Sequence, residues 1–156
     1  MIRKKGYINI DISPKYRPDI VADVRKLPFK NNSIDEIYTA HMLEHIEDFG
    51  KAMKEMHRVL KKGSKLLVIV PYAADIGTYI PQHVLYFSHR SFFPFKEGDE
   101  HDEYYNFHFK EVNPKFRFIW FNRIISWFAN SHPVFYEHTM LSHLFPAREL
   151  QVELIK

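Results

Sequence analysis

An unbroken apolar run, Leu66-Leu67-Val68-Ile69-Val70, constrains this chain more than any other feature. A strand with one face in water alternates apolar and polar side chains. A continuous apolar strand is expected where helices cover both faces of a parallel sheet. A helix with one apolar side precedes the run. Asp48 is placed to cap it, and Phe49, Ala52, Met53, Met56, Val59 and Leu60 recur at helical spacing. Lys61-Lys62 suit the negative end of the helix dipole, and Gly63 suits the left-handed residue that closes a helix. Pro71 stops the strand.

Upstream, Tyr7-Ile8-Asn9-Ile10-Asp11 alternates and reads as a strand, followed by a loop punctuated by Ser13-Pro14 and Arg17-Pro18. Asp19 to Asp23 is a second short strand, Leu27-Pro28-Phe29 with Asn31-Asn32 a turn-rich link, and Ile34 to Ala40 a third strand. Strand, strand, strand, helix, strand implies an α/β fold with parallel pairing and right-handed crossovers. Downstream the pattern is weaker. Phe87 to Phe95 is aromatic, with a short helix expected to start at Ser88 or Ser91, and Glu97 to Glu103 is an acidic loop. Tyr104 to Glu111 and Phe116 to Phe121 have strand composition, split by Asn113-Pro114, while Arg117 to Phe128 fits a helix with an aromatic face equally well. Glu149 to Ile155 alternates and reads as a closing strand. There are no repeats, and residues 1–156 read as one domain.

Composition narrows the function classes. There are no cysteines, which excludes disulfides and thiolate metal sites and fits a reducing, cytoplasmic setting. The Met1 end has no apolar segment behind its charges, so no signal peptide is expected, and no run is long enough for a membrane span. A net charge of +3 permits an anionic ligand without calling for nucleic acid.

Several side chains are candidates for chemistry. Asp11 ends a strand, where ligands of doubly wound sheets sit; it can accept two ribose hydroxyls or simply cap the Ser13-Pro14 turn. Asp23 ends the next strand and either binds an adenine edge or is a turn aspartate. His41, Glu44, His45 and Asp48 form the richest polar cluster. His41 can act as a base or shape an acceptor site, although His41 and His45 also stand at the spacing of a helical metal pair. The histidines at 83, 89, 101, 108, 132, 138 and 143 match no ligand template, even with Asp99, Asp102 and Glu103 nearby, and no metal is expected. Arg117 and Arg123 lie among Trp120, Phe121, Trp127 and Phe128, in a stretch suited to core packing, a dimer interface, an acceptor lid, base stacking or a membrane surface.

One family carries these pieces in the same order. Asn9-Ile10-Asp11-Ile12, then Asp19 to Phe29, Ser33 to Tyr38, His41-Met42-Leu43-Glu44-His45, Arg58 to Gly63 and Val70-Pro71 resemble the small class I S-adenosylmethionine (SAM) dependent methyltransferases, of the methyltransferase-11 type. Their domains read as an acidic end of strand two, D-x-x-x-LPF, S-x-D-x-I, LEH, RVLKPGG, strand and proline. Pro81-Gln82-His83 with Phe87-Ser88, and Glu149 to Lys156, resemble the family's later loop and last strand. The resemblance implies a Rossmann-like sheet, SAM as cofactor and a small-molecule or glycan-type methyl acceptor. It places Asp11 and Ile12 at the ribose, and Asp23 and Val24 at adenine. Ala40 and His41 are placed by it at the methionine portion and the transferred methyl, and Tyr72 and His83 at the acceptor.

Two departures matter. Lys62-Gly63-Ser64 replaces a proline and paired glycines. The family's first strand and its glycine-rich loop have no counterpart: the ten residues before Asp11 hold one glycine, Gly6. Glycines let the backbone approach the cofactor closely, so SAM affinity is expected to suffer. The sheet is expected to lose the strand between those at Tyr7 and Ile34. Those two then pair directly, another segment or subunit fills the gap, or the true start lies upstream of Met1. A homo-oligomer, such as a homodimer, is one outcome. A non-catalytic binding or interaction module is the alternative function.

Overall fold

The computed structural model describes residues 6–118 and 123–156. Trp120 and Phe121 of the aromatic stretch, and the first five residues, lie outside them. Strand β1 (Ile10–Asp11) pairs in parallel with β2 (Ile20–Val21), with Ile10 opposite Ile20 and Asp11 opposite Val21. Strand β3 (Ile34–Ala40) leads through a 3-10 turn, Leu43–His45, to helix α1 (Phe49–Val59) and strand β4 (Leu60–Pro71). Strand β5 (Glu111–Arg117), helices α2 (Arg123–Ser131), α3 (Pro133–His138) and α4 (Leu141–Leu144), and strand β6 (Glu149–Ile155) complete the chain. The second sheet runs in the order β3-β4-β6-β5, with β3 parallel to β4 and β6 antiparallel to both neighbours. Among the described residues no ladder joins β1 to β3, so direct pairing is not the arrangement adopted.

Helix α1 begins where the sequence predicts: the Asp48 carboxylate accepts the Lys51 N–H at 3.0 Å. Its apolar face, Ala52, Met53, Met56 and Val59, is buried against the sheet. Its end differs from expectation. Leu60 is already extended, so Lys61-Lys62-Gly63 belong to β4 and Gly63, at φ 75°, lies within an irregular stretch of that strand. The carbonyls left open at the end of α1 are met from far along the chain, as Lys156 Nζ donates to His57 O at 2.6 Å and Leu60 O at 2.8 Å.

The apolar run fills the centre of the sheet, with Leu66, Val68 and Val70 fully buried. Aromatic rings pack around α1: Phe49 sits edge-on to Phe87, Phe92 and Phe95. Tyr72, Phe116 and Tyr136 form a second aromatic group with ring centroids 4.8–6.4 Å apart. The Phe87 to Phe95 segment is turns and one 3-10 turn, Phe93–Phe95, rather than a longer helix. Asn113-Pro114 does not divide two strands but lies inside β5; among the described residues this strand pairs only with β6, and an edge tolerates a residue without an N–H.

Candidate functional site

The carboxyl ends of β1 and β2 lie side by side, since Ala22 N–H donates to Asp11 O at 3.1 Å. Asp11 Oδ1 accepts the Ser13 N–H at 2.8 Å, so it does cap that turn, leaving Oδ2 for another donor. Ile12, next to it, is largely exposed, an apolar surface at the strand tip. Asp23 is engaged on both oxygens: Oδ1 accepts the Arg25 N–H at 2.8 Å and Oδ2 accepts Arg25 Nη2 at 2.7 Å. The Arg25 hydrogen bonds hold the Asp23 carboxyl below its usual range. Val24 packs against the core. The loop after β2 is tied to α1 through Arg58, which donates to Leu27 O, Phe29 O and Asn31 Oδ1 while pairing with Glu55 at 2.8 Å. Glu55 in turn accepts the Leu27 N–H at 3.1 Å.

His41 follows Ala40 at the tip of β3, in a left-handed conformation (φ 51°) that costs a residue with a Cβ about 1–2 kcal/mol. Its N–H donates to Ile69 O at 2.9 Å, keeping the turn against β4. Two carboxylates flank the ring: Glu44 Oε1 at 3.5 Å from Nδ1 and Glu149 Oε1 at 3.0 Å from Nε2. Hydrogen bonding to Glu44 above all, and then to Glu149, raises the His41 pKa despite partial burial. Arg117 reaches the other oxygen of Glu149 at 3.4 Å. The sequence marks Arg117 only as part of the aromatic stretch and Glu149 only as the start of a strand; both arrive through the antiparallel β5–β6 pair, 108 residues beyond His41 in the case of Glu149.

Tyr72 begins the segment after β4 and lines a cavity of about 540 Å³ with Ser88, Arg90, Glu137, His138 and His143. Its hydroxyl interacts with Glu137, and burial pushes the phenol well above its usual range. Burial likewise raises Glu137, which accepts the His89 N–H at 2.7 Å. His83 does not line this cavity. It is half-buried with its side chain largely covered, donating from Nδ1 to Thr78 O at 2.8 Å, with Nε2 4.0 Å from Glu44 Oε1. The structure thus groups His41, Glu44 and His83 at one place, Asp11 and Asp23 on a second rim, and Tyr72 in a separate cavity.

Sheet order, α1 packing and polar groups gathered at the carboxyl ends of parallel strands define a Rossmann-like class I methyltransferase fold. A SAM dependent methyltransferase from Archaeoglobus fulgidus shares it, with a TM-score of 0.62 at 14% identity over 94% of this chain and 74% of that one. Residues 3–68 match the family described as "Methyltransferase domain". That matched segment, under half of the chain, is what it shares with the class I methyltransferases. The chain is 36% identical to the sterol 4-C-methyltransferase strm-1 of Caenorhabditis elegans, across 67 residues, 43% of this chain and 20% of that protein. It is 35% identical to a demethylmenaquinone methyltransferase of Corynebacterium glutamicum across 69 residues, 42% of this chain and 30% of that protein. The chain therefore matches less than a third of the length of these relatives. Among the described residues no helix is long and apolar enough to cross a membrane.

Proposed function

We propose that this chain takes part in methyl transfer from SAM to a small-molecule acceptor. The observation that carries the proposal is the placement of Asp11 at the carboxyl end of β1, opposite Val21, and of Asp23 just past the carboxyl end of β2, inside the segment that matches the family. Asp11 Oδ2 accepts a ribose hydroxyl, with Ile12 covering the sugar and base. Asp23 and Val24 meet the adenine edge, and Arg25 gives up part of its hold on Asp23 when they do. Ala40 and His41 border the methionine portion. Two flanking carboxylates raise the pKa of His41, which favours a role in orienting and shaping the acceptor site. Tyr72 presents the acceptor from its cavity, and His83 acts behind the site through Glu44. Small acceptors fit a cavity of about 540 Å³, and the names of the sterol and quinone methyltransferases support an organic acceptor over a macromolecular one.

Calorimetric titration with SAM and with S-adenosylhomocysteine tests this. Saturable heat with a rise in melting temperature is expected; no heat and no thermal shift at millimolar ligand would remove the transferase reading. A second reading, an interaction module or homodimer, is favoured by the helices after β5. There Ile124 (82% exposed), Trp127 (67%) and Met140 (74%) leave apolar surface in solvent. Sedimentation equilibrium separates it: a monomer at all concentrations excludes self-association through these helices.

A further inference from the structure

We propose that Glu44, His45 and His83 form a binding site for a divalent cation of the zinc class. One donor atom from each lies within 4.8 Å of the other two. The site does not need the SAM reading to be true, although Glu44 also flanks His41 at 3.5 Å.

The two imidazoles are already oriented as metal ligands are. His45 Nδ1 lies 2.9 Å from Gln82 O, and His83 Nδ1 lies 2.8 Å from Thr78 O. A carbonyl oxygen only accepts, so Nδ1 carries the proton in both rings and the lone pair of each neutral ring sits on Nε2. Anchoring one ring nitrogen to a backbone carbonyl, so that the other points at the metal, is the usual outer-shell arrangement around a ligating histidine. The rings meet edge-on at 4.8 Å between centroids.

Glu44 supplies an independent reason. It is 1% exposed, and among the described residues its Oε2 is buried with no hydrogen-bond partner. A buried carboxylate oxygen in that state is costly, and a cation offsets the cost directly. The surrounding backbone is fixed. The Glu44 carbonyl accepts the N–H groups of Val84 and Leu85 at 2.8 and 3.2 Å, clamping the segment that bears His83 onto the turn that bears Glu44 and His45. Thr78, which presents the carbonyl to His83, is itself buried and donates to Tyr72 O at 2.7 Å.

Donor chemistry selects the ion. Two imidazoles and one carboxylate, without thiolates, suit zinc and its neighbours better than calcium or magnesium, which favour oxygen donors. Zinc bonds of about 2.0–2.2 Å put tetrahedral donors about 3.3 Å apart. Closing the cluster therefore takes about an ångström and a half of movement. Exposed His45 can rotate to supply it, whereas the His83 side chain, 7% exposed, is held. Three protein donors leave the fourth position to water or a substrate oxygen.

The test is titration of untagged, chelator-treated protein with Zn²⁺ by calorimetry and with Co²⁺ by its visible absorption. One equivalent is expected to bind with micromolar or tighter affinity. His45→Ala, at an exposed position that leaves the fold intact, should weaken binding by about tenfold or more. Glu44→Gln should do the same, with its folding checked by thermal melting. His101→Ala removes a histidine beside Asp99 and Glu100 at the surface and should change nothing. Absence of one-to-one binding overturns the site. So does binding that survives His45→Ala or is lost on His101→Ala. Failure to bind SAM leaves every one of these outcomes readable.

Discussion

Asp11 ends β1 and Asp23 follows the end of the neighbouring β2, yet their surroundings differ. Asp23 is saturated by Arg25, while Asp11 spends one oxygen on a turn and keeps the other. Asp11→Ala should therefore weaken SAM binding about 10- to 100-fold, the worth of hydrogen bonds to a charged acceptor, with little change in melting temperature. Calorimetry on the variant decides, and unaltered affinity rules out the ribose assignment. His57 offers a prediction about stability. Its ring lies against Phe107 and Phe109, Nε2 donates to His108 O at 3.0 Å, and Lys156 is the nearby cation. Burial first, and Lys156 second, lower its pKa from 6.5 to about 4. Between these values the unfolded chain binds a proton that the folded chain does not. Stability is full above pH 6.5, falls as pH drops towards 4 and levels off below it, a loss on the order of 2 kcal/mol. Melting curves for the parent and His57→Gln should diverge over that window, because the other titrating groups are common to both. Parallel curves exclude the effect. At this scale the sequence showed Asp11, Asp23 and His41 by type and position, but not Glu149. A carboxylate delivered by an antiparallel strand 108 residues away leaves no local pattern. His83 joined Glu44 for the same reason, through a loop whose spacing matches no ligand template.

Among the elements, β3 and β6 run over the residues their sequence patterns mark, Ile34–Ala40 and Glu149–Ile155. β6 alternates, with Leu150, Val152 and Leu154 buried, and β3 is bounded by Asn31-Asn32, so local signals and tertiary packing agree. The end of α1 was misread because its last carbonyls are satisfied by a residue distant in sequence, Lys156, and no window of helix residues contains that information. The β5 strand was divided at Pro114 because its place at a sheet edge is a property of topology, not of composition. The link that matters for the site is Arg58. It reaches three acceptors on the loop after β2 and pairs with Glu55, so it fastens the Asp23 loop to α1. Arg58→Ala should cost about 2–3 kcal/mol of stability, by leaving several partly buried acceptors unmet. It should also weaken SAM binding, because the Asp23 loop loses its anchor. Denaturant unfolding measures the first effect and calorimetry the second. Arg58→Lys, which keeps the charge but not the fork of donors, should recover only part of either.

For the molecule as a whole, the division into two sheets sets where it opens first. The four-stranded sheet carries the buried residues of β4 and β6 and stacks α1 on them, whereas β1 and β2 are two residues long and bury no side chain fully. Local opening free energies follow buried apolar contact, so they span a wide range within one domain. Amides of Val68, Val70, Val152 and Leu154 should exchange only through global unfolding. Those of Asp11 and Ala22 should exchange far faster and stay insensitive to low denaturant. Ligand that binds across the β1–β2 rim stabilises the closed form by mass action, about 2.7 kcal/mol at a hundredfold excess over Kd. If SAM rests there, its addition slows exchange at Asp11, Ala22 and Arg25 first, and does so without altering amides of α3, which packs against α2 and α4. Protection that rises uniformly over the chain, or only around Tyr72, puts the nucleoside elsewhere and separates the rim from the cofactor.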